Sequence, residues 1–234
     1  MIKQVDKYSG DHVLDIMSKY APNRNSYVEK LIRKNLGLDQ LTERKTLMEF
    51  GAGRGEFINR FDHDPMIETI AVELDPDYVK NLSLRHKTFA DFNDAPQVDF
   101  IYLIDVLEHL EDDEDFLKKF YGKLKPGGKL FIYVPARMEL LSQFDKEIGH
   151  YRRYVYRDLR DKIKGAGFKL RRIRYHEIMG YFAQLVNKLV IGKTKLDPLS
   201  LKVYDNFLVP ASNFLEKFIP VPIGKSLYAL AEKS

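Results

Sequence analysis

The sequence predicts an α/β fold, a seven-stranded and mostly parallel sheet with helices on both faces, and two observations carry that expectation. Apolar, strand-like runs alternate with helical periodicity along most of the chain, the pattern of a parallel sheet joined by helical crossovers. The first such run, Leu47-Met48-Glu49-Phe50, passes straight into Gly51-Ala52-Gly53-Arg54-Gly55-Glu56. Glycines at 51, 53 and 55 remove Cβ atoms where the chain turns sharply and where backbone comes close to a ligand. A dinucleotide fingerprint would put its third glycine at position 56. Glu56 stands there instead, and a carboxylate facing a pyrophosphate is repelled, so the expected ligand is a nucleoside without phosphates.

The elements follow in order. Two helical patterns, DHVLDIMSKY and NSYVEKLIRKNLG, separated by Ala21-Pro22-Asn23, precede the first strand, TLMEFGA. EFINRFDH is expected as the first crossover helix and TIAVELD as the second strand. Pro76 then sits at the first turn of DPDYVKNLSLRH, where a missing N–H and a fixed φ are tolerated. HKTFADF is the third strand. VDFIYLIDV is the fourth, nearly continuous in apolar residues as a strand covered on both faces should be. EDDEDFLKKFYGKL runs from acidic to basic in the sense that suits a helix dipole, and Lys125-Pro126-Gly127-Gly128 ends it. KLFIYVPA is the fifth strand, YRDLRDKIKGAG a helix ending at Gly165 and Gly167, KLRRIRYHEI the sixth strand and SLYALAEK the last. The segment of about 45 residues between the last two strands is too long for a plain loop. It is apolar and aromatic, holds Pro198, Pro210, Pro220 and Pro222, and is expected to form a helical lid over the carboxyl edge of the sheet. The organisation is one domain, 1–234, with a helical cap (1–44), a cofactor-binding core (45–176), the lid insertion (177–224) and the last strand (225–234).

A chain of 234 residues is long enough for one such domain with a buried core. No segment gives the long uncharged run of a membrane span, and MIKQVDKYSGDHVLDIM has no signal-peptide core, so a cytoplasmic protein is expected. Zero cysteines excludes disulfides, thiolate metal sites and cysteine nucleophiles together. A net charge of +4 is too small to imply nucleic acid by itself. Glu108 to Asp115 is acidic, whereas Tyr151 to Tyr175 is basic with only Asp158 and Asp161 against it. That basic run reads first as a solvated face, with Arg153, Arg157, Arg160 and Lys164 at helical spacing. An anionic substrate such as a sugar phosphate or lipid diphosphate comes second and RNA third.

An acidic residue is expected at the end of the second strand, where a ribose would hang over the sheet. Glu73 occupies that place, followed by Leu74-Asp75-Pro76, so two carboxylates compete and Glu73 is favoured. Asp91 would accept a hydrogen bond from an adenine amino group while Phe92 packs on the ring; alternatively, Asp91 only caps a turn.

Taken in order from about residue 45 to 175, these signals resemble the class I S-adenosylmethionine-dependent methyltransferases: EFGAGRGEF, AVELDPDYV, ADF, IDVLEHLED and LKPGGKLFIYVP. The resemblance implies a Rossmann-like fold, S-adenosylmethionine as cofactor and no metal. It implies that Gly51, Ala52 and Gly53 line the methionine part and that Glu49 holds the amino group through water. Glu73 and Leu74 would lie at the ribose, Asp91 and Phe92 at the adenine, and the backbone of Ile104 and Asp105 near the sulfonium. A shorter match, Asp145-Lys146-Glu147-Ile148-Gly149-His150-Tyr151-Arg152-Arg153-Tyr154 with NRNSYVEKLI and Pro222-Ile223-Gly224-Lys225-Ser226, is similar to methyltransferases associated with bacterial glycosyltransferases. It implies a small-molecule, sugar or lipid-linked (glycolipid-type) acceptor.

Methyl transfer to a hydroxyl needs help with deprotonation near neutral pH, which makes histidine the leading residue type. His150 is favoured as base, with Tyr151, Arg152 and Arg153 as acceptor contacts, and His109 is the second candidate; either histidine could equally be a packing residue. The Asn/Asp-Pro-Pro-aromatic motif of nitrogen-methylating enzymes is absent after the fourth strand, where Asp105-Val106-Leu107-Glu108 stands. An oxygen or a carboxylate acceptor is therefore preferred to a base nitrogen, and nucleic acid is disfavoured. The alternatives are an RNA or other nitrogen-directed methyltransferase, or a non-catalytic cofactor-binding scaffold. FLVPASNFLEKFIPVPIG is either core or a contact with a membrane surface or partner.

Overall fold

Every predicted apolar run becomes a strand: β1 (Lys45–Phe50), β2 (Ile67–Val72), β3 (Lys87–Phe89), β4 (Val98–Ile104), β5 (Leu124–Pro135), β6 (Lys169–His176) and β7 (Ser226–Glu232). The structure, a computed structural model, describes residues 11–188 and 198–234. The first ten residues, which include most of the stretch read for a signal sequence, and residues 189–197 of the expected lid lie outside it. The strands join in one seven-stranded sheet, order β3-β2-β1-β4-β5-β7-β6. It is parallel from β3 through β5, and β7 runs antiparallel between β5 and β6.

Strand alternation sorts the core into two layers. Met48, Phe50, Ile101, Leu103, Leu130 and Ile132 face α4 (Asp113–Lys123) and α6 (Tyr156–Gly165) through Leu117, Phe120, Leu159 and Ile163. Leu47, Tyr102, Phe131 and Tyr133 face α2 (Pro22–Leu36) through Val28, Ile32 and Leu36. Each such side chain contributes roughly 1.5–3 kcal/mol by leaving water. Burial on both sides explains why β4 reads as an unbroken apolar run.

Two local expectations change. EFINRFDH forms only a short 3₁₀ turn, Ile58–Arg60. Gly51, Gly53 and Gly55 all take positive φ, so the residues before Phe57 are spent on the turn, and few remain before β2 starts at Ile67. Phe57, Ile58 and Phe61 nevertheless stay buried, so the apolar spacing was a packing signal even without a helix. α4 ends at Lys123, just ahead of Lys125-Pro126-Gly127-Gly128 as expected, but β5 already begins at Leu124, five residues earlier than expected, because those four residues form an irregular stretch within the strand. Gly128 lies so close to its neighbours that a Cβ would come within 2.8 Å of the Lys125 carbonyl oxygen and 2.9 Å of the Asp99 carbonyl oxygen.

The chain runs outward through β1, β2 and β3, then returns to lay β4 on the other side of β1, which leaves a crevice at their carboxyl ends. Around that edge sit α1 (Asp11–Tyr20) and α2 before β1, α3 (Pro76–Leu82) after β2 and α5 (Gln143–Glu147) after β5. The insertion between β6 and β7 supplies α7 (Ile178–Val186) and α8 (Pro198–Val203), the latter running through one π turn, Tyr204–Leu208, into α9 (Val209–Phe218). Pro210 at the start of α9 cannot donate a backbone hydrogen bond, and a wider turn ahead of it is a natural outcome.

Candidate active site

The glycine turn closes over the crevice with no room to spare. Gly51 has φ +76, and a Cβ there would lie 2.7 Å from Val106 Cγ2. The amides of Gly51 and Ala52 donate to the Val72 carbonyl at 2.9 and 3.1 Å, and the Gly53 amide donates to Glu73 Oε2 at 2.6 Å. Glu73 Oε1 accepts from the amides of Leu74 and Asp75 at 2.7 and 2.9 Å. Asp75 is occupied elsewhere: its Oδ1 caps α3 by accepting from the amides of Asp77 and Tyr78. Of the two competing carboxylates, therefore, Glu73 is the one on the turn. Leu74 is exposed beside it.

Asp91 is exposed and accepts from the Asn93 amide at 2.8 Å, so it does cap a turn. Phe92 corrects an expectation. Its ring is 5% exposed and packs edge-on against Phe50 and Phe120, which leaves no ring face for an adenine. A turn without Cβ atoms, a half-buried carboxylate, an exposed leucine and an exposed aspartate across the ends of β1, β2 and β3 fit a nucleoside with an unphosphorylated diol. Glu56 does not face that space alone. It accepts from Asn25, Arg60 and Ser18, and Arg54 pairs with Asp15, so the cap helices are tied to the turn.

Glu49 is buried at the end of β1, where the Tyr102 hydroxyl donates to its Oε2 at 2.9 Å. Burial pushes its carboxyl up to about 8, against the opposing effect of that hydrogen bond. The folded chain therefore holds a proton that the unfolded chain has lost, and stability should fall as pH rises from the ordinary carboxylate range to about 8, then level off. Glu49→Gln should remove this slope and gain about 1–2 kcal/mol on the parent between pH 6 and 8.5. Urea unfolding at the two pH values reads it directly, and parallel curves for parent and variant would dismiss the assignment.

Beyond β4 the backbone is strained at Asp105, φ +53. Arg24 of α2 reaches it, Nη2 to Oδ2 at 2.7 Å, and its Nε lies 3.5 Å from Glu177 Oε1. Glu177 is buried between β6 and α7 and accepts from Tyr133 (3.0 Å), Ser226 (2.5 Å) and Tyr204. Burial opposes its ionisation, yet Lys225 and Arg24 hold it well below the usual carboxylate range. Asp205 in the π turn accepts from the amides of Asn23 and Arg24, joining lid to cap.

On the other side of Asp105, His109 and His150 meet, 4.6 Å between ring centroids and edge to face. Asp145 Oδ1 lies 3.1 Å from His150 Nδ1 and accepts from Arg153 Nη2 at 2.7 Å. Burial opposes ionisation of Asp145 too, but His150, Arg153 and Ser142 hold it below the carboxylate range. Burial, with the neighbouring His150, pulls His109 down to about 4. Glu108 is fully buried, its carboxyl pushed up by burial and by Asp105, and its Oε1 lies 3.7 Å from His150 Nε2.

Arg153 is a second correction. It lies before α6, is 6% exposed and spends its guanidinium on Asp145 and the Ala136 carbonyl, so it positions the loop and belongs neither to a solvated face nor to an acceptor contact. Arg152 is likewise engaged, with Asp113 and the Glu111 carbonyl, while Tyr151 is exposed. Sequence reasoning missed Arg24, Glu177, Tyr204 and the part played by Glu108. Gly224 was one usable signal, since a Cβ there would meet the His176 backbone oxygen at 2.2 Å, and it fixes where Lys225 and Ser226 enter.

The family profile described as "Methyltransferase domain" matches residues 20–173 of the 234. No curated protein matches. Among solved structures, the chain is similar to a SAM dependent methyltransferase from Archaeoglobus fulgidus, TM-score 0.61 at 17% identity, covering 94% of this chain and 99% of that one. It is similar to phosphoethanolamine N-methyltransferase 2 of Haemonchus contortus in complex with S-adenosyl-L-methionine, TM-score 0.60 at 16% identity, covering 88% and 52%. It is also similar to the cyclopropane synthase MmaA2 from Mycobacterium tuberculosis, TM-score 0.58 at 16% identity, covering 87% and 83%. These identities speak to fold and not to acceptor. With the profile spanning the glycine turn, Glu73 and the β4 crevice, the chain belongs to the methyltransferase-domain family of S-adenosylmethionine-dependent enzymes.

Proposed function

We propose that the chain methylates an oxygen of a small-molecule, sugar or lipid-linked acceptor. The observation that carries this reading is the meeting of His109 and His150 beside Asp105, at the carboxyl end of β4 where the reactive end of the cofactor is expected. The cofactor, when bound, supplies an electrophilic methyl on a sulfonium, so the protein has mainly to align an acceptor, exclude water and handle a proton. Gly51, Ala52 and Gly53 cradle one end and Glu73 the sugar, with Leu74 and Asp91 at the base. Glu49 lies behind the turn, and Ile104 and Asp105 bring backbone to the reacting centre. Asp145, held anionic by Arg153, takes the Nδ1–H of His150 and fixes the tautomer that turns Nε2 toward the acceptor side.

Charge pairing supports a non-nucleic-acid acceptor. Arg152, Arg153, Lys162, Arg160 and Arg171 are each paired internally, with Asp113, Asp145, Asp113, Asp161 and Glu232, which engages five of the ten basic residues between Tyr151 and Tyr175. No helix among the described residues is long and apolar enough to cross a membrane. The lid exposes Phe207, Phe214, Phe218 and Ile219, which supports a cytoplasmic enzyme that meets its acceptor at a membrane surface.

Transfer of labelled methyl from S-adenosylmethionine should test the whole reading, with water-soluble sugar precursors and vesicle-borne glycolipids offered side by side. Label is expected in an alkali-stable ether of one fraction, and the protein should pellet with the vesicles. His150→Ala should lose most of the turnover and keep cofactor binding; unchanged turnover removes His150 from the reaction. Tight cofactor binding without transfer to any acceptor points to a scaffold, and protein left in the supernatant ends the membrane contact.

A further inference from the structure

Glu108 poses a problem that the methyl-transfer reading does not solve. Its side chain is fully buried, and neither carboxylate oxygen has a hydrogen-bond partner. A carboxyl group buried in this way costs several kcal/mol unless something compensates. Two histidines lie beside it. One ligand atom from each of Glu108, His109 and His150 lies within 4.8 Å of the others.

We propose that Glu108, His109 and His150 form a binding site for a first-row divalent cation of the zinc type. The donor set is one carboxylate and two imidazoles, the combination that such ions take in sites that keep a position open for a further ligand. The 3.7 Å between Glu108 Oε1 and His150 Nε2 is already close to the roughly 3.3 Å separating neighbouring ligands of a tetrahedral ion with bonds near 2 Å. Supporting contacts fit as well. His150 Nδ1 faces Asp145 Oδ1 at 3.1 Å, which directs the Nε2 lone pair at the site, the carboxylate–histidine arrangement that orients imidazole ligands. His109 hydrogen-bonds the backbone at Gly149, which holds its ring in place from the other side.

The three ligands come from two short segments, the 3₁₀ turn Leu107–His109 after β4 and the loop after α5. These segments are fastened to each other by the Tyr151 amide donating to the Glu108 carbonyl at 2.9 Å, so the ligands are held before any ion arrives. Asp105 lies beside the cluster, close enough for its charge to act on both Glu108 and His109. A cation there would bind the acceptor oxygen and lower its pKa, so that with the ion bound His150 Nε2 is a ligand and the ion takes over the help with deprotonation that the free imidazole gives in the methyl-transfer reading. This last point rests on the methyl-transfer reading; the cation site itself does not.

Metal-free full-length protein titrated with Co²⁺ should develop visible d–d absorption at one equivalent, and Zn²⁺ should displace it. Glu108→Gln and His150→Gln should each weaken Co²⁺ by at least about ten- to a hundredfold. Histidine-ring ¹⁵N shifts in the parent protein need no variant, and Zn²⁺ should move two of the six histidines. A silent spectrum with no histidine shift, or binding that both variants leave unchanged, overturns the proposal. S-adenosylmethionine titrated into the same samples keeps the two readings apart: cofactor binding without Co²⁺ binding defeats the cation site alone, and Co²⁺ binding without cofactor defeats the methyl-transfer reading alone.

Discussion

Arg24→Met should lower the unfolding free energy by about 3–5 kcal/mol, the cost of removing one partner from a buried ion pair. Methionine keeps most of the side-chain length, so the loss isolates the charge. It would leave Asp105 Oδ2, now 2.7 Å from the guanidinium, and Glu177 Oε1, now 3.5 Å from it, without their cation. Asp105 keeps about a third of its side chain in solvent whereas Glu177 is fully buried, so the damage should concentrate at Glu177, which Lys225 alone would then hold. Urea unfolding measures the total, and the double variant with Glu177→Gln should recover part of it. A loss under about 1 kcal/mol would mean that water or Lys225 already satisfies these carboxylates.

Gly51→Ala should cost the next most, and its effect should reach cofactor affinity. A non-glycine residue at φ +76 costs about 1–2 kcal/mol, and forcing a methyl to 2.7 Å from Val106 Cγ2 adds about 1–3 kcal/mol. The turn can relieve the contact only by moving, and the Gly53 amide would then leave Glu73. Val106→Ala in the same chain should return the steric part and leave the backbone part, which separates the two causes. Cofactor titration should show at least about a tenfold loss for the single variant. Parent-like binding would place the cofactor away from this turn.

Much of the fold was legible because its signals are local. Apolar runs marked the inner strands, since a strand buried on both faces cannot hide its composition, while the half-exposed edge strands β3 and β6 were legible from their place in the alternation. The turn announced itself through three glycines with positive φ, and Glu73 through its position at a strand end. EFINRFDH misled because spacing reports which side chains are buried and not whether the backbone between them closes i to i+4 bonds. Phe92 misled for a related reason: an aromatic near a ligand site and an aromatic in the core look alike until its neighbours, Phe50 and Phe120, are known.

The side of the crevice beyond β4 was harder to read because its pairs span the chain. Arg24 meets Asp105 across 81 residues and Asp205 across 181. A single arginine in a helical pattern reads as solvated, and only the fold shows it buried. His109 and His150 were each visible as candidates, but their meeting depends on how the ends of β4 and β5 lie together.

The placement of β7 has a consequence for how the molecule is made. Among the described residues β6 pairs with β7 alone, and β7, which follows it in sequence, must enter antiparallel between β5 and β6. As the chain leaves the ribosome, the cofactor turn and its four neighbouring strands can assemble early. β6 and the segment leading into the lid, however, wait as an unpaired edge until β7 has emerged. Glu177, Arg24 and Ser226 can then come together only once β7 is in place, so the buried charge cluster beyond β4 is completed after the glycine turn.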